Sequence, residues 1–147
     1  MSPHPVVVDA SVAIKLVVSE ERTQLARALV GECQKAGAPM IVPPHFHGEV
    51  ANGLHQQVRR KAFGKDEALQ ALDDVVSMRF QVVAFDDLPR RAFEFASQNN
   101  LASVYDALYV VLAEQTGAEF WTDDQRLLRA LGGTFPNARW IGDYEAS

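Results

Sequence analysis

Short apolar runs alternate along the chain with stretches of helical spacing. Val6-Val7-Val8 is apolar at consecutive positions, the pattern of a strand buried on both faces, and it ends at Asp9. Helix-compatible sequence follows from Ser11, with Val12, Ile14, Leu16 and Val17 apolar, and resumes from Glu20 to Lys35. Met40-Ile41-Val42 reads as a second strand, entered through Pro39 and closed by Pro43-Pro44, a pair that suits the start of a new helix. Phe46, Val50, Leu54 and Val58 recur at i, i+4 and predict a helix over 46–58. A second helix is predicted from Asp66 to Ser77, with Leu69, Leu72, Val75 and Val76 inward. Gln81 to Phe85 reads as a third strand and Leu88 to Asn99 as a helix stopped at Asn99-Asn100. Tyr105 to Thr116 is the most apolar helix, with Gly117 placed to end it. Ala118 to Thr122 reads as a fourth strand, Asp124 to Leu131 as a short helix before Gly132-Gly133, and Ala138 to Ile141 as a final edge strand.

Strands alternating with helices imply an α/β fold in three layers, with a central parallel sheet of four to five short strands covered on both faces. In such sheets the functional groups gather at the carboxyl ends of the strands. No linker, composition break or internal repeat divides the sequence, so one domain is expected over residues 1–147.

Composition changes this picture only where chemistry is concerned. Hydrophobic residues make up 48% and charged residues 22%, ordinary for a globular domain. The single cysteine, Cys33, excludes an internal disulfide and a multi-cysteine zinc site, fits a reducing compartment, and reads as packing. No targeting or membrane-spanning segment is visible, which predicts a cytoplasmic protein with no membrane partner. The formal charge is −5, from 14 Lys and Arg against 19 Asp and Glu. A chain that grips phosphate backbones through bulk charge is normally basic. Either the partner is not nucleic acid or something neutralises the carboxylates locally.

The acidic residues follow the layout. Asp9 follows the first strand, and Asp123 and Asp124 follow the fourth. Asp106 lies in the first turn of the apolar helix, and Glu49 flanks the buried stripe of the helix over 46–58. Each has a bland alternative: Asp9 and Asp124 as helix N-caps, Asp106 as a partner of the helix dipole, Glu49 reaching to solvent. Together they make a cluster whose charges repel unless cations sit among them. Oxygen donors without an organised Cys or His set suit Mg²⁺ or Mn²⁺, and such sites commonly handle phosphates. Two divalent ions would bring the chain from −5 to −1, which resolves the charge question.

Four segments then resemble the motifs of PIN-domain ribonucleases: Val6-Val7-Val8-Asp9-Ala10-Ser11, Gly48-Glu49-Val50-Ala51-Asn52-Gly53-Leu54, Tyr105-Asp106-Ala107-Leu108-Tyr109 and Thr122-Asp123-Asp124-Gln125-Arg126-Leu127. They come in the family's order and span nearly the whole chain, and the size is similar to that of VapC-like toxins of bacterial type II toxin–antitoxin pairs. The resemblance implies a PIN-like fold and metal-assisted endoribonuclease activity that leaves a 5′-phosphate and a 3′-hydroxyl. It implies a quartet of Asp9, Glu49, Asp106 and Asp124, with Asp9 and Asp106 on the principal ion and Glu49 and Asp124 on a second ion or its water. It makes Ser11 and Thr122 the hydroxyls that orient carboxylates or water, and Asp123 a substitute or helper for Asp124. It implies an RNA substrate, a cognate antitoxin and a homodimer.

Basic side chains for the RNA backbone are sought at Arg59, Arg60 and Lys61 with Lys65, and at Arg126 with Arg129. The bland alternative is a solvated helix end. His45 and His47 fall outside the resemblance, and are expected to be satisfied or solvated rather than metal ligands. Two other classes compete. A haloacid-dehalogenase-like phosphatase needs a second Asp two residues after Asp9, where Ser11 stands. A receiver-like Mg²⁺-binding signalling domain could use Asp86-Asp87, but no Lys occurs after Lys65 to complete it.

Overall fold

β1 (Val6–Val8) is buried at every position and lies at the centre of a five-stranded, wholly parallel sheet. The computed structural model describes residues 4–146, so Met1, Ser2, Pro3 and Ser147 of the expected 1–147 domain lie outside the described residues. After β1 come α1 (Ala10–Val17), α2 (Thr23–Ala36), β2 (Met40–Val42), α3 (Phe46–Arg59) and α4 (Lys65–Ser77). β3 (Gln81–Val82), α5 (Leu88–Gln98), α6 (Val104–Thr116), β4 (Glu119–Thr122), α7 (Gln125–Leu131) and β5 (Ala138–Trp140) complete the order.

The strands stand in the order β3-β2-β1-β4-β5, with Val7 in register with Ile41 on one side and Phe120 on the other. The chain runs outward from β1 through β2 to β3, then crosses back to β4 and β5. Right-handed crossovers place α1 to α4 on one face and α5 to α7 on the other, and α1 packs on α3 and α4 while α5 packs on α6. The reversal of strand order falls between β1 and β4, the place where open α/β sheets leave a crevice at their carboxyl edge.

Local chemistry sets the boundaries. Asp9 caps α1, accepting the Val12 N–H, so the helix begins at Ala10. Arg22 has φ of 65°, a left-handed value that breaks the chain before α2 and delays its start from Glu20 to Thr23. The expected strand over 81–85 is confined to Gln81–Val82. Its partner β2 runs into Pro43, which has no N–H, so only one further bond, from Val83 N to the Val42 carbonyl, is made. β3 is exposed at both positions, so the sheet is not covered at that edge. Leu69 and Val76, expected inward, are 51% and 55% exposed; α4 buries Val75 as expected, with Ala68 and Ala71 beside it.

Two details fix the elements that carry the acidic residues. α6 is buried on most of its circumference, from Ala107 and from Tyr109 to Ala113, and ends at Gly117 with φ of 69°. α3 lies against α1 at Gly53, where a Cβ would stand 2.5 Å from Ile14 Cδ1. A side chain at position 53 would have to displace the end of the Ile14 side chain.

Candidate active site

Every residue of the acidic quartet sits at the start of a helix. Asp9 and Asp124 are the N-caps of α1 and α7, and Glu49 and Asp106 lie in the first turns of α3 and α6. A helix start carries about half a positive charge, which favours a carboxylate there. Asp9 and Asp124 follow β1 and β4, the neighbours that flank the strand-order reversal.

Asp9 is 8% exposed and held from three directions. Ser11 Oγ donates to Oδ1 and Thr122 Oγ1 to Oδ2, both at 2.5 Å, and Val12 N–H donates to Oδ1 at 3.2 Å. The two hydroxyls are held in turn: Asp123 N–H donates to Ser11 Oγ and Asp124 N–H to Thr122 Oγ1, each at 3.0 Å. The backbone after β4 thus fixes the side chain after β1. Burial pushes the Asp9 carboxyl up to about 6, against the pull of these hydrogen bonds, and repulsion from Glu49 adds to the rise.

Asp106 differs, since it accepts no hydrogen bond among the described residues. Burial also pushes its carboxyl up to about 6, with repulsion from Asp124 and then Glu49 adding, and His45 opposing. Glu49 Oε1 accepts from Tyr109 Oη at 2.6 Å and lies 3.1 Å from His45 Nε2. Neither His45 ring nitrogen has a well-aligned hydrogen bond. Burial alone would raise the Glu49 carboxyl; the His45 and Tyr109 contacts outweigh it and hold it below its ordinary value. Asp124 is exposed and accepts from Arg126 N–H and Leu127 N–H, so it caps α7 as well as facing Asp106.

Asp123 points into a different network. Its carboxylate takes Arg22 Nε at 2.7 Å, Lys15 Nζ at 3.0 Å and Trp140 Nε1 at 3.3 Å. Burial would raise it, but hydrogen bonds and charge from Arg22 and Lys15 hold it low. Its side chain is therefore committed to a latch joining α1, the turn before α2 and the ends of β4 and β5. Lys15 has a side chain only 5% exposed. Asp123→Ala would leave that ammonium with Glu20 and the Glu21 carbonyl alone. The variant is expected to lose about 3 kcal/mol of unfolding free energy in urea denaturation, the low end for breaking a buried ion pair.

The basic residues divide by position. Arg126 stands beside Asp124 at the start of α7, whereas Arg59, Arg60 and Lys61 lie at the far end of α3 from Glu49. Ten residues of helix separate Glu49 from Arg59, about 15 Å at 1.5 Å per residue. All four are exposed. Asp86 and Asp87, on which a receiver-like reading would rest, follow the edge strand β3, two strands from β1. Asp87 pairs with Arg91 at 2.6 Å, and Cys33 is buried in the core.

The PIN domain family profile matches residues 6–132. The chain belongs to the PIN-domain family. Ribonuclease VapC3 of Pyrobaculum aerophilum is 33% identical over 123 residues, covering 82% of this chain and 90% of the relative. Ribonuclease VapC3 of Mycobacterium tuberculosis H37Rv is 32% identical over 141 residues, covering 95% and 94%. The crystal structure of PAE2754 from Pyrobaculum aerophilum superposes with a TM-score of 0.71 at 22% identity, covering 95% of this chain and 92% of that one. Mycobacterium tuberculosis VapC20, described as a Sarcin-Ricin loop cleaving toxin, superposes with a TM-score of 0.63 at 20% identity, covering 91% and 98%. At those identities the two structures establish the shared PIN fold.

PIN ribonucleases generally depend on a divalent metal. The donors here are carboxylate oxygens, suited to a hard cation, and two of them, Asp9 and Asp106, carry charge that burial disfavours. Among the described residues, no three His, Cys, Asp or Glu side chains are drawn together as a finished ligand set. The residues present fit such an ion.

Reasoning from sequence missed Tyr109, His45, Lys15 and Arg22 as partners of the acidic groups. Tyr109 had a signal, since it falls one turn after Asp106 on the same helix. Lys15 had another: it is the one charge in the run Ala10–Val17.

Proposed function

We propose that this chain is an endoribonuclease dependent on Mg²⁺ or Mn²⁺, and the toxin of a type II toxin–antitoxin pair. The observation that carries the reading is the pair Asp9 and Asp106, two partly desolvated carboxylates beside the strand-order reversal of a PIN fold, each raised to about 6. The names of the VapC3 relatives support it. Asp9, Asp106, Glu49 and Asp124 would hold the cation. When bound, it supplies Lewis acidity to the scissile phosphate and to the attacking water. The chain's own residues supply the rest. Ser11 and Thr122 keep Asp9 in one rotamer, Tyr109 keeps Glu49 ionised and oriented, and Arg126 stands ready for a backbone phosphate. Cleavage of single-stranded RNA should vanish in excess chelator and return on adding Mg²⁺ or Mn²⁺; full activity in chelator would overturn the reading.

The RNA backbone, in this reading, runs from the acidic edge along α3 to Arg59, Arg60 and Lys61. Arg59→Ala with Arg60→Ala is expected to lower the slope of log affinity against log salt by about 2, one unit for each lost phosphate contact. An unchanged slope places the RNA elsewhere.

The protein would act as a single domain in the cytoplasm, as a homodimer silenced by its antitoxin. No helix among the described residues is long and apolar enough to cross a membrane. The surfaces that support a protein partner are the groove of about 270 Å³ between α3 and α4, lined by Leu54, Val58, Leu69 and Leu72, and Phe93 of α5, which is 64% exposed.

A further inference from the structure

Beside the acidic quartet, α1, α3 and the start of α6 enclose an open cleft of about 570 Å³. One face of α3 forms its wall, through His45, Glu49 and Asn52 at one-turn intervals. Ala10 and Ile14 line it from α1, and Tyr105 from α6. Tyr105 is 61% exposed, although it directly precedes Asp106. Its ring lies over His45, centroids 5.2 Å apart and planes 34° from parallel. His45 is backed by Tyr109 at 4.9 Å, so the two rings that reach the cleft rest on a buried aromatic. The Asn52 side chain makes no hydrogen bond among the described residues. Gly48 leaves the mouth open, since a Cβ there would meet nothing within 4 Å.

The charge of the cleft decides what it can take. Its wall carries one carboxylate, Glu49, and no Lys or Arg. A phosphate would find no Lys or Arg partner there. A flat, neutral group would instead find aromatic faces, an aliphatic floor and a free amide that both donates and accepts. Resting on the ribonuclease reading, we propose that this cleft is a nucleobase subsite: the unpaired base next to the scissile phosphate stacks on Tyr105, whose ring is backed by His45, while Asn52 meets its polar edge. Stacking of a single-stranded base on an aromatic side chain tolerates any base; the amide adds preference. Tyr105 therefore positions substrate without entering the chemistry.

The test uses adenosine 5′-monophosphate, uridine 5′-monophosphate and ribose 5-phosphate as probes of the full chain with Mg²⁺, followed by side-chain NMR shifts of Tyr105 and Asn52. Both nucleotides should move these signals, while the baseless sugar phosphate should not. Tyr105→Ala should weaken nucleotide binding about tenfold, and Tyr105→Phe should retain it. With a single-stranded oligoribonucleotide, Tyr105→Ala should raise KM about tenfold and change kcat far less. Equal shifts from all three probes, or unchanged binding and KM in Tyr105→Ala, would overturn the subsite and leave the ribonuclease reading standing. Nucleotide-specific shifts without cleavage by the wild type would do the reverse. If Tyr105→Ala weakens a protein partner but not the nucleotides, the cleft is a protein-docking surface and the subsite is rejected.

Discussion

Asp9→Asn is expected to abolish RNA cleavage and, in the same stroke, to stabilise the metal-free protein. The carboxyl is buried and raised from 3.8 to about 6, so at neutral pH its ionisation costs about 3 kcal/mol of folding free energy at 1.36 kcal/mol per unit. Asn keeps the shape. Its oxygen can still accept from Ser11 and Val12, and its amide can donate to Thr122 Oγ1, whose hydroxyl has a second lone pair to offer. Exchanging an acceptor for a donor returns part of the gain, leaving about 1–2 kcal/mol, or roughly 3–6 °C in Tm for a chain of this size. Activity moves the other way. Losing a cation-binding carboxylate removes several kcal/mol of transition-state stabilisation, a loss of about a thousandfold or more. Calorimetry in chelator and a cleavage assay in Mg²⁺ read the two effects separately. A variant that cuts normally, or that melts lower without metal, contradicts the role given to Asp9.

The second large effect is a stability profile whose sign depends on the cation. Asp9 and Asp106 have folded-state values raised to about 6. Between pH 4 and 6 the folded state therefore holds protons that the unfolded chain has already released. Stability contributed by these groups is full below the unfolded value and is lost as pH rises through about 6. The metal-free protein should accordingly melt lower at pH 7 than at pH 5. Glu49 and Asp123 are shifted downward and act in the opposite sense only at lower pH. Millimolar Mg²⁺ or Mn²⁺ should reverse the trend, because binding displaces the protons and tightens as pH rises. At a hundred times the dissociation constant the ion adds about 2.7 kcal/mol. Superimposable melting profiles with and without metal would remove the cation from the site.

Much of this arrangement was legible in the letters. The three valines of β1, the proline-bounded β2 and the apolar α6 are each dictated by burial on both sides, and burial on both sides leaves a run that needs no partner to be read. The placement of the four carboxylates on the elements was legible because each sits at a junction between elements, where Asp9 and Asp124 are also the caps that start α1 and α7. What was hidden depends on distance in the chain. Asp123 neighbours Asp124, yet its side chain turns to Lys15 and Arg22, more than 100 positions away. The sequence offers no way to tell which of two adjacent aspartates faces the crevice. The shortened β3 was hidden for a related reason: its length is set by Pro43, which follows the strand beside it. The outward Leu69 and Val76 were misread because small residues, Ala68 and Ala71, make the close contact on α4.

The contact between Gly53 and Ile14 gives this architecture a lever. Glu49 lies one turn before Gly53 on α3, and Asp9 lies at the head of the helix that carries Ile14. The gap between two repelling carboxylates is thus governed by how closely a pair of helices can nest at a point that bears no charge. A valine at position 53 would first turn aside the end of the Ile14 side chain, only the part of the clash that this side chain cannot yield would reach the acidic groups, and Ile14→Ala in the same chain would remove the contact. The enzyme's chemistry can in this way be tuned from its hydrophobic seam.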